Sequence, residues 1–243
     1  MNLQLTKQTL SISGHDISVE FPSSQDQLLE QTLFSEDPAT CDADPYWGLL
    51  WDAAPKTAAL ILRHEWPAPL NVLDLGCGVG LTGIAALQAG HAVTFADQST
   101  LAIEMAISNA TLNGFRDTPG LVFEWKHPPA ARFDLIIASD VLYDVAAHVP
   151  LLSTLQSMLS GHGVAWIGDT GRTNAMRFAK LAFENGWDLQ TFNEHAEACP
   201  EPAHLQFRLL VLSCRCPQQH DVRNNTVSGM VASTSVTRRT PVC

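Results

Sequence analysis

The chain has 243 residues, and 46% of them are hydrophobic, which is enough apolar material for one sizeable folded core. Its 25 acidic residues outnumber its 14 basic ones and give a formal net charge of −11 at pH 7, which disfavours a broad nucleic-acid-binding surface. No apolar run approaches the ~18 residues of a membrane span, and residues 1–20 show no signal or transit peptide. We therefore expect a soluble cytoplasmic protein, monomeric, with neither nucleic-acid nor membrane partners.

The six cysteines follow no pattern that is typical of a disulfide framework or a zinc site. Cys214 and Cys216 are separated by one residue instead of two, and no export signal accompanies them. A metal site made from these two cysteines, Cys199 and nearby histidines is the weaker alternative. We expect free thiols in a reducing compartment and no bound metal.

Residues 1–45 are predicted to form an N-terminal extension. Residues 10–13 and 17–21 alternate apolar and polar side chains around Gly14-His15-Asp16, which is typical of a short hairpin. A serine-capped helix through Leu28 and Leu33 is expected next, followed by a polar loop that contains Pro38.

From residue 46 to residue 212 the chain is predicted to form one α/β domain. A helix begins near Pro55, and four more are expected at residues 80–89, 99–113, 146–160 and 172–185. The predicted strands are residues 71–75, 92–96, 121–125, 134–138, 164–168, 187–192 and 205–212. This alternation predicts βαβ crossovers and a mostly parallel sheet with helices on both faces. No helix separates the last two strands, so they should pair antiparallel at one edge. Residues 213–243 lack apolar periodicity and are predicted to form a disordered tail.

A glycine-rich turn follows the first strand of this sheet. Residues 72–80 read VLDLGCGVG, and a helix follows at once. The backbone of Gly76, Cys77, Gly78 and Gly80 can approach a ligand closely, although the literal GxGxxG match at residues 78–83 is weak evidence alone. Asp74 decides between cofactors, because a carboxylate here would repel a dinucleotide pyrophosphate but suits the cationic groups of S-adenosylmethionine. We therefore expect S-adenosylmethionine as the cofactor.

The next two strands end in residues that suit an adenosine. Asp97 follows the second strand, where a carboxylate can accept hydrogen bonds from both ribose hydroxyls, and Gln98 can border the adenine. Asp97 could instead cap the helix that begins near Ser99. Glu124 and Trp125 end the predicted third strand and supply an acceptor and an aromatic ring for the adenine, although a lone Trp is more often a packing residue.

The chain resembles the class I, seven-β-strand methyltransferases over residues 46–212. Within them it resembles the METTL-type protein-lysine methyltransferases, a group that includes the electron-transfer-flavoprotein β-subunit lysine methyltransferases. The likeness is carried by PYWGLLW at residues 45–51, DLGCGVG at 74–80, the helix end at 109–114, SDVLYD at 139–144 and GDTGR at 168–172. It implies a Rossmann-like sheet of order 3-2-1-4-5-7-6 with the seventh strand antiparallel. It also implies that Trp51 lines the methionine end of the cofactor, with Ser139 as a further cofactor contact; a core role for Trp51 is the alternative.

The fourth strand carries the predicted chemistry. A lysine amine must arrive uncharged, and at its ordinary pKa of ~10.4 this costs about 4–5 kcal/mol at neutral pH. Asp140 ends the strand and can accept a hydrogen bond from the amine, while Tyr143 can form an aromatic wall beside it. Asp140 could alternatively cap the segment that follows.

Three classes of function compete at this point. Nucleic-acid amino-methyltransferases resemble one another in an Asn/Asp-Pro-Pro-aromatic signature here, whereas this chain has Asp140-Val141-Leu142-Tyr143. Transfer to a protein lysine is the preferred reading. A small-amine N-methyltransferase and a non-catalytic cofactor-binding or partner-binding module stay open.

Overall fold

The computed structural model describes residues 4–24, 26, 28–29, 45–200 and 204–214. The predicted helix beyond Leu29, the loop around Pro38 and residues 215–243 of the predicted tail lie outside the described residues. No helix within these ranges is long and apolar enough to cross a membrane.

A seven-stranded sheet forms the centre of the protein. Its strands are β3 (Asn71–Leu75), β4 (Ala92–Asp97), β5 (Gly120–Val122), β6 (Phe133–Ser139), β7 (Leu159–Asp169), β8 (Trp187–Phe192) and β9 (Arg208–Cys214). They are arranged as β5-β4-β3-β6-β7-β9-β8. Strands β3 to β7 pair in parallel, and β9 pairs antiparallel with both β7 and β8. Counted from β3 this is the order 3-2-1-4-5-7-6, so the predicted topology and the antiparallel edge are confirmed.

Helices cover both faces of the sheet. They are α1 (Ala53–Arg63), α2 (Leu81–Gln88), α3 (Thr100–Leu112), α4 (His148–Met158) and α5 (Thr173–Glu184). Residues of α1, α2 and α3 share one core cluster with Val72, and residues of α4 and α5 share the other with Leu73 and Leu75. Consecutive side chains of β3 thus pack on opposite faces of the sheet, as the two-residue period of a strand requires.

Three predicted element boundaries are wrong. The third strand ends at Val122 and not at residue 125, because the chain turns where the His127 N–H donates to the Glu124 carbonyl at 2.8 Å. The last strand begins at Arg208, because Leu205 has a φ of 61° in a turn and is 71% exposed. The fifth strand begins at Leu159, directly after α4, and so absorbs the end of the helix that was predicted to reach residue 160.

The N-terminal extension begins with a hairpin of β1 (Leu5–Ile12) and β2 (His15–Pro22). Ile12 pairs with His15, so the turn consists of Ser13 and Gly14 and not of the predicted residues 14–16. Both turn residues have positive φ, 51° and 83°, as a tight two-residue hairpin turn requires. Ile17 and Val19 are fully buried in the same cluster as α1 to α3, so the hairpin packs onto the α/β domain.

Candidate active site

A cleft of about 290 Å³ opens at the carboxyl edge of the sheet, near the ends of β3, β4 and β6. Open α/β sheets bind their ligands at this edge. The wall of the cleft includes ten predicted site residues: Trp51, Gly76, Cys77, Gly78, Asp97, Gln98, Trp125, Ser139, Asp140 and Tyr143. Asp74, Gly80 and Glu124 are not part of the wall. The sequence prediction missed several other wall residues, including Tyr46, Trp47, Leu50, Thr82 and Asp144.

The glycine turn forms one wall of the cleft with its backbone. Gly76 and Gly78 have φ angles of 69° and 50°, which glycine adopts without strain. A Cβ atom at Gly78 would lie 2.9 Å from the Trp47 carbonyl oxygen, and one at Gly76 would lie 2.9 Å from Val141. The turn is therefore closely packed on two sides, and larger residues would displace the segment around Trp47.

Asp74 lies beneath the turn, away from the cleft. Its oxygens accept hydrogen bonds from the Thr82 hydroxyl and the Gly83 N–H, each at 2.8 Å. Complete burial raises the pKa of Asp74 from 3.8 to about 7, although both hydrogen bonds oppose this shift. The carboxylate of Asp74 thus binds the first turn of α2, and its predicted contact with the cationic end of a cofactor stays a prediction.

Gly80 and Glu124 differ from the prediction. Gly80 is the residue before α2, and a Cβ atom there would lie 2.9 Å from the Ala106 side chain, so this glycine allows α2 and α3 to pack closely. Glu124 is exposed outside the cleft wall, because the third strand ends before it. Of the predicted pair, Trp125 alone lines the cleft.

Asp97 joins the glycine turn to the start of α3. One carboxylate oxygen accepts a hydrogen bond from the Gly78 N–H at 3.2 Å, and the other accepts one from the Ser99 N–H at 3.0 Å. The alternative cap role belongs to Ser99, whose hydroxyl accepts from the Ala102 N–H. Since each carboxylate oxygen has two lone pairs, Asp97 can still accept hydrogen bonds from a ligand in the cleft.

Ser139 places a polar atom in the cleft wall at the end of β6. Its hydroxyl oxygen is buried and has no hydrogen-bond partner within the described residues. Buried hydroxyls are nearly always paired in folded proteins, so an unpaired one beside a cleft indicates where a polar ligand atom binds.

An aromatic and ionic cluster lies at the other end of the cleft. The Trp51 indole N–H donates to the Tyr46 carbonyl at 3.0 Å, and the two rings meet edge to face with centroids 6.0 Å apart. The Arg172 guanidinium lies 5.9 Å from the centroid of the Trp51 ring. Arg172 also forms ion pairs with Asp140 and, at 3.2 Å, with the buried Asp169. Trp51 is thus both a cleft residue and a packing residue of the segment before α1.

Asp140 lines the cleft, but its carboxylate is already engaged. The side chain is 1% exposed, with one oxygen bonded to Arg172 and the other accepting from the Ala53 N–H at 2.8 Å. Asp140 therefore caps α1, whereas Asp144 caps the segment that follows by accepting from the Ala146 N–H at 2.9 Å. The contact of Asp140 with an incoming amine stays a prediction.

The charges of this pair depend on each other. Burial raises the pKa of Asp140, and the hydrogen bonds from Arg172 and Ala53 oppose that shift. Burial disfavours the charge on Arg172, but its hydrogen bond to Asp140 and the charges of Asp140 and Asp169 outweigh this and raise its pKa. The sequence prediction gave Arg172 no partner, although it stands three residues after Asp169 at the end of β7.

Tyr46 and Tyr143 form the rim of the cleft and are 50% and 47% exposed. The Asn174 side chain donates to the Tyr143 carbonyl at 2.7 Å and so holds this part of the rim. The cleft therefore has a polar end at Gly78, Asp97 and Ser139 and an aromatic end that opens to solvent. Within the described ranges, no group of three or more His, Cys, Asp or Glu residues could hold a metal ion.

The sheet order and the position of the cleft define the class: a Rossmann-like α/β protein of the seven-stranded methyltransferase type. A family model described as lysine methyltransferase matches residues 46–180, and the chain belongs to this family.

The chain is 35% identical over 135 residues to the electron transfer flavoprotein beta subunit lysine methyltransferase of Mus musculus. This alignment covers 54% of the chain and 52% of that relative, so the chain spans about half the length of the curated relatives it matches. It is also 31% identical over 104 residues to histidine protein methyltransferase 1 homolog of Dictyostelium discoideum, covering 40% of this chain and 34% of that relative.

Among solved structures, the ribosomal protein L11 methylase of Lactobacillus delbrueckii subsp. bulgaricus aligns with a TM-score of 0.55 and 23% identity. The alignment covers 69% of this chain and 81% of that one. At this level of identity the similarity shows the fold alone.

Proposed function

We propose that this protein transfers a methyl group from S-adenosylmethionine to the amine of a lysine side chain in a protein substrate. The observation that carries the proposal is a single cleft, with an acidic and polar end suited to an adenosine and an aromatic end suited to an amine. Membership of the lysine methyltransferase family supports it.

The polar end fits the adenosine half of the cofactor. Asp97 lines the cleft with a carboxylate that can accept hydrogen bonds from the ribose hydroxyls, and Gln98 and Trp125 border the space next to it. The unpaired Ser139 hydroxyl supplies a further hydrogen bond in the same cleft. Once bound, S-adenosylmethionine supplies a methyl group that is already activated by its sulfonium charge.

The aromatic end attracts a lysine side chain and then removes water from it. The wall of the cleft includes the acidic side chains of Asp97, Asp140 and Asp144 and no lysine or arginine of the described residues, which gives the wall an excess of acidic groups. This excess favours entry of the cationic form. Tyr46, Trp51 and Tyr143 provide poorly hydrating walls, and desolvation lowers the pKa of an amine.

The protein then needs to orient the neutral amine more than to exchange protons with it. The acceptor's proton can leave to solvent at the exposed Tyr143 rim. Holding the amine nitrogen in line with the methyl group converts a bimolecular reaction into an effectively unimolecular one.

The test is transfer of radiolabelled methyl groups from S-adenosylmethionine into a lysate from cells that lack this protein. The electron transfer flavoprotein beta subunit of the same cells is the first purified acceptor to try, because it is named in the relatives. The expected result is label in precipitated protein that is recovered as methyl-lysine after acid hydrolysis. Asp97→Ala serves as the matched variant with impaired cofactor binding.

The other outcomes separate the alternatives. Recovery as methylhistidine would replace lysine by histidine as the acceptor, as the name of the Dictyostelium relative suggests. Label confined to small molecules would favour a small-amine methyltransferase, and cofactor binding without any transfer would favour a non-catalytic module. The cytoplasmic location, the monomeric state and the three-part domain division stay predictions.

A further inference from the structure

Two asparagines, Asn109 on α3 and Asn113 directly after its end, bind the edge of the N-terminal hairpin. Asn109 accepts a hydrogen bond from the Glu20 N–H and donates one to the Glu20 carbonyl, both at 2.8 Å. Asn113 accepts from the Ser18 N–H at 2.9 Å and donates to the Ser18 carbonyl at 2.6 Å. The two side chains thus pair with alternate residues of β2 as a neighbouring strand would.

The spacing of the two asparagines explains the match. Four residues of an α-helix rise about 6 Å, and two residues of a strand span about 6.8 Å. Position 109 of α3 and position 113 at its C-cap therefore face positions 20 and 18 of β2 in order. The backbone N–H and C=O groups of Ser18 and Glu20 at the edge of β2 thus bind side chains instead of a third strand.

Asn109 alone extends this contact to the glycine turn. Its side-chain N–H₂ group donates to the Val79 carbonyl at 2.9 Å as well as to Glu20, and Asn109 is buried. Val79 stands between Gly78 and Gly80. The N–H of Gly78 in turn binds Asp97, so hydrogen bonds connect β2 to the proposed ribose site through Asn109 and one short stretch of backbone.

We propose that Asn109 is a positioning residue that couples docking of the N-terminal hairpin to the shape of the glycine turn. Cofactor affinity then depends on the hairpin, although hairpin residues are absent from the cleft wall. This inference rests on the proposed cofactor site at Gly76–Gly78 and Asp97.

Asn113 provides a matched control because it binds the same strand in the same way without a hydrogen bond to the turn. Asn109→Ala should weaken binding of S-adenosylmethionine and S-adenosylhomocysteine about fivefold to tenfold, the range for one or two lost hydrogen bonds. Asn113→Ala should change either affinity by less than about twofold. Both variants should lower the melting temperature, because both loosen the hairpin. The cofactor KM of Asn109→Ala should rise while kcat at saturating cofactor stays nearly unchanged.

A second measurement uses the wild-type chain and does not depend on a variant folding well. Coupling free energies are reciprocal, so S-adenosylhomocysteine should slow hydrogen exchange of the β2 amides of Ser18 and Glu20. The slowing should exceed that of β8, which lies at the far edge of the sheet and reports global stabilisation. The excess should persist at the Glu20 amide in Asn113→Ala, which keeps the Asn109 acceptor of that amide. It should disappear at the Ser18 amide in Asn109→Ala, which keeps the Asn113 acceptor of that amide.

The outcomes distinguish this inference from the proposed function. Equal affinity losses in the two asparagine variants, or equal slowing in β2 and β8, would overturn the coupling. If Asp97→Ala also left cofactor affinity unchanged, the assignment of the cofactor site itself would fail. A loss in Asp97→Ala without a difference between Asn109→Ala and Asn113→Ala would remove only the coupling.

Discussion

The most informative substitution is Asp140→Asn, because Asp140 has a visible structural contact and a predicted catalytic one. The amide keeps an acceptor for the Ala53 N–H but removes the charge that pairs with Arg172. Breaking a fully buried ion pair costs ~3–5 kcal/mol. Arg172 is 26% exposed on its side chain and keeps Asp169 at 3.2 Å, so the loss should be nearer the ~1.5–3 kcal/mol of one charged hydrogen bond. For a chain of this size that corresponds to a fall in Tm of roughly 4–10 °C.

The catalytic contact predicts a separate and larger effect. If the Asp140 carboxylate orients the amine, Asp140→Asn should lower kcat by about 10²-fold, as expected for a polar group positioned for the transition state. The affinity for S-adenosylmethionine should change little, because the side chain is assigned to the acceptor. Steady-state kinetics at saturating cofactor, calorimetric Kd and thermal unfolding measure the three quantities.

Arg172→Met is the matched control for this experiment. It breaks the ion pair with Asp140 and also the one with Asp169, so Tm should fall at least as far, but it leaves the Asp140 carboxylate in place. Removing the guanidinium lets burial raise the pKa of Asp140 further, so turnover of this variant should recover as the pH rises and the carboxylate ionises. Normal turnover in Asp140→Asn together with a lowered Tm would refute the catalytic role and leave Asp140 as the cap of α1.

Three further predictions follow from charged groups elsewhere. Asp97→Ala should weaken S-adenosylmethionine binding by ~1.5–3 kcal/mol in calorimetry, and tighter binding of NAD than of S-adenosylmethionine to the wild type would contradict the cofactor assignment. Burial raises the pKa of Asp74 from 3.8 to about 7, so the folded state loses about 4 kcal/mol of stability as the pH rises through this range. Asp74→Asn lacks this loss, so its stability relative to the wild type in urea titrations should increase between about pH 4 and pH 8. An unchanged difference between the two proteins across this range would contradict the burial of Asp74. Burial and then the nearby His64 lower the pKa of His91, whose ring nitrogen accepts from the Leu70 N–H, so His91 disfavours folding as the pH drops below 6.5, and His91→Gln should gain stability relative to the wild type there. A stability difference between His91→Gln and the wild type that is flat between about pH 7.5 and about pH 5.5 would argue against it.

Local patterns predicted the elements well where the apolar runs are bounded by turn residues. β3 and β8 have the predicted bounds, residues 71–75 and 187–192. Two of the errors arose where an apolar residue lies in a turn. Trp125 and Leu205 both continue an apolar pattern, but the chain has already turned at Glu124 to His127 and at the positive φ of Leu205. Hydrophobic periodicity does not detect turns of this kind.

The sequence predicted which residues at the strand ends belong to the site, but it did not predict the groups that bind to them. Asp97 and Asp140 were found because each directly follows or ends an apolar strand, which places it at the carboxyl edge of a parallel sheet. The hydrogen bonds of Asp140 reach Ala53 and Arg172, and those of Asn109 reach Glu20, across 87, 32 and 89 residues of chain. No local pattern encodes such contacts. The partners of Asp74 are nearer in the chain, at Thr82 and Gly83 in the first turn of α2, but the sequence pattern did not indicate these hydrogen bonds either.

The carboxylates of Asp97 and Asp140, at the ends of two strands, are held in place in a similar way, and this affects how the cleft can act on a ligand. Asp97 binds the N–H groups of Gly78 and Ser99, and Asp140 binds the N–H of Ala53 and the side chain of Arg172. Each acid thus fixes a neighbouring segment before any ligand arrives, and each also lines the cleft. Polar groups that are already held in place need little reorganisation when charge changes beside them, and such preorganisation is a major source of transition-state stabilisation. The same arrangement means that a substitution at either acid perturbs the cleft wall and the ligand contact together, so stability and turnover must be measured on the same variant.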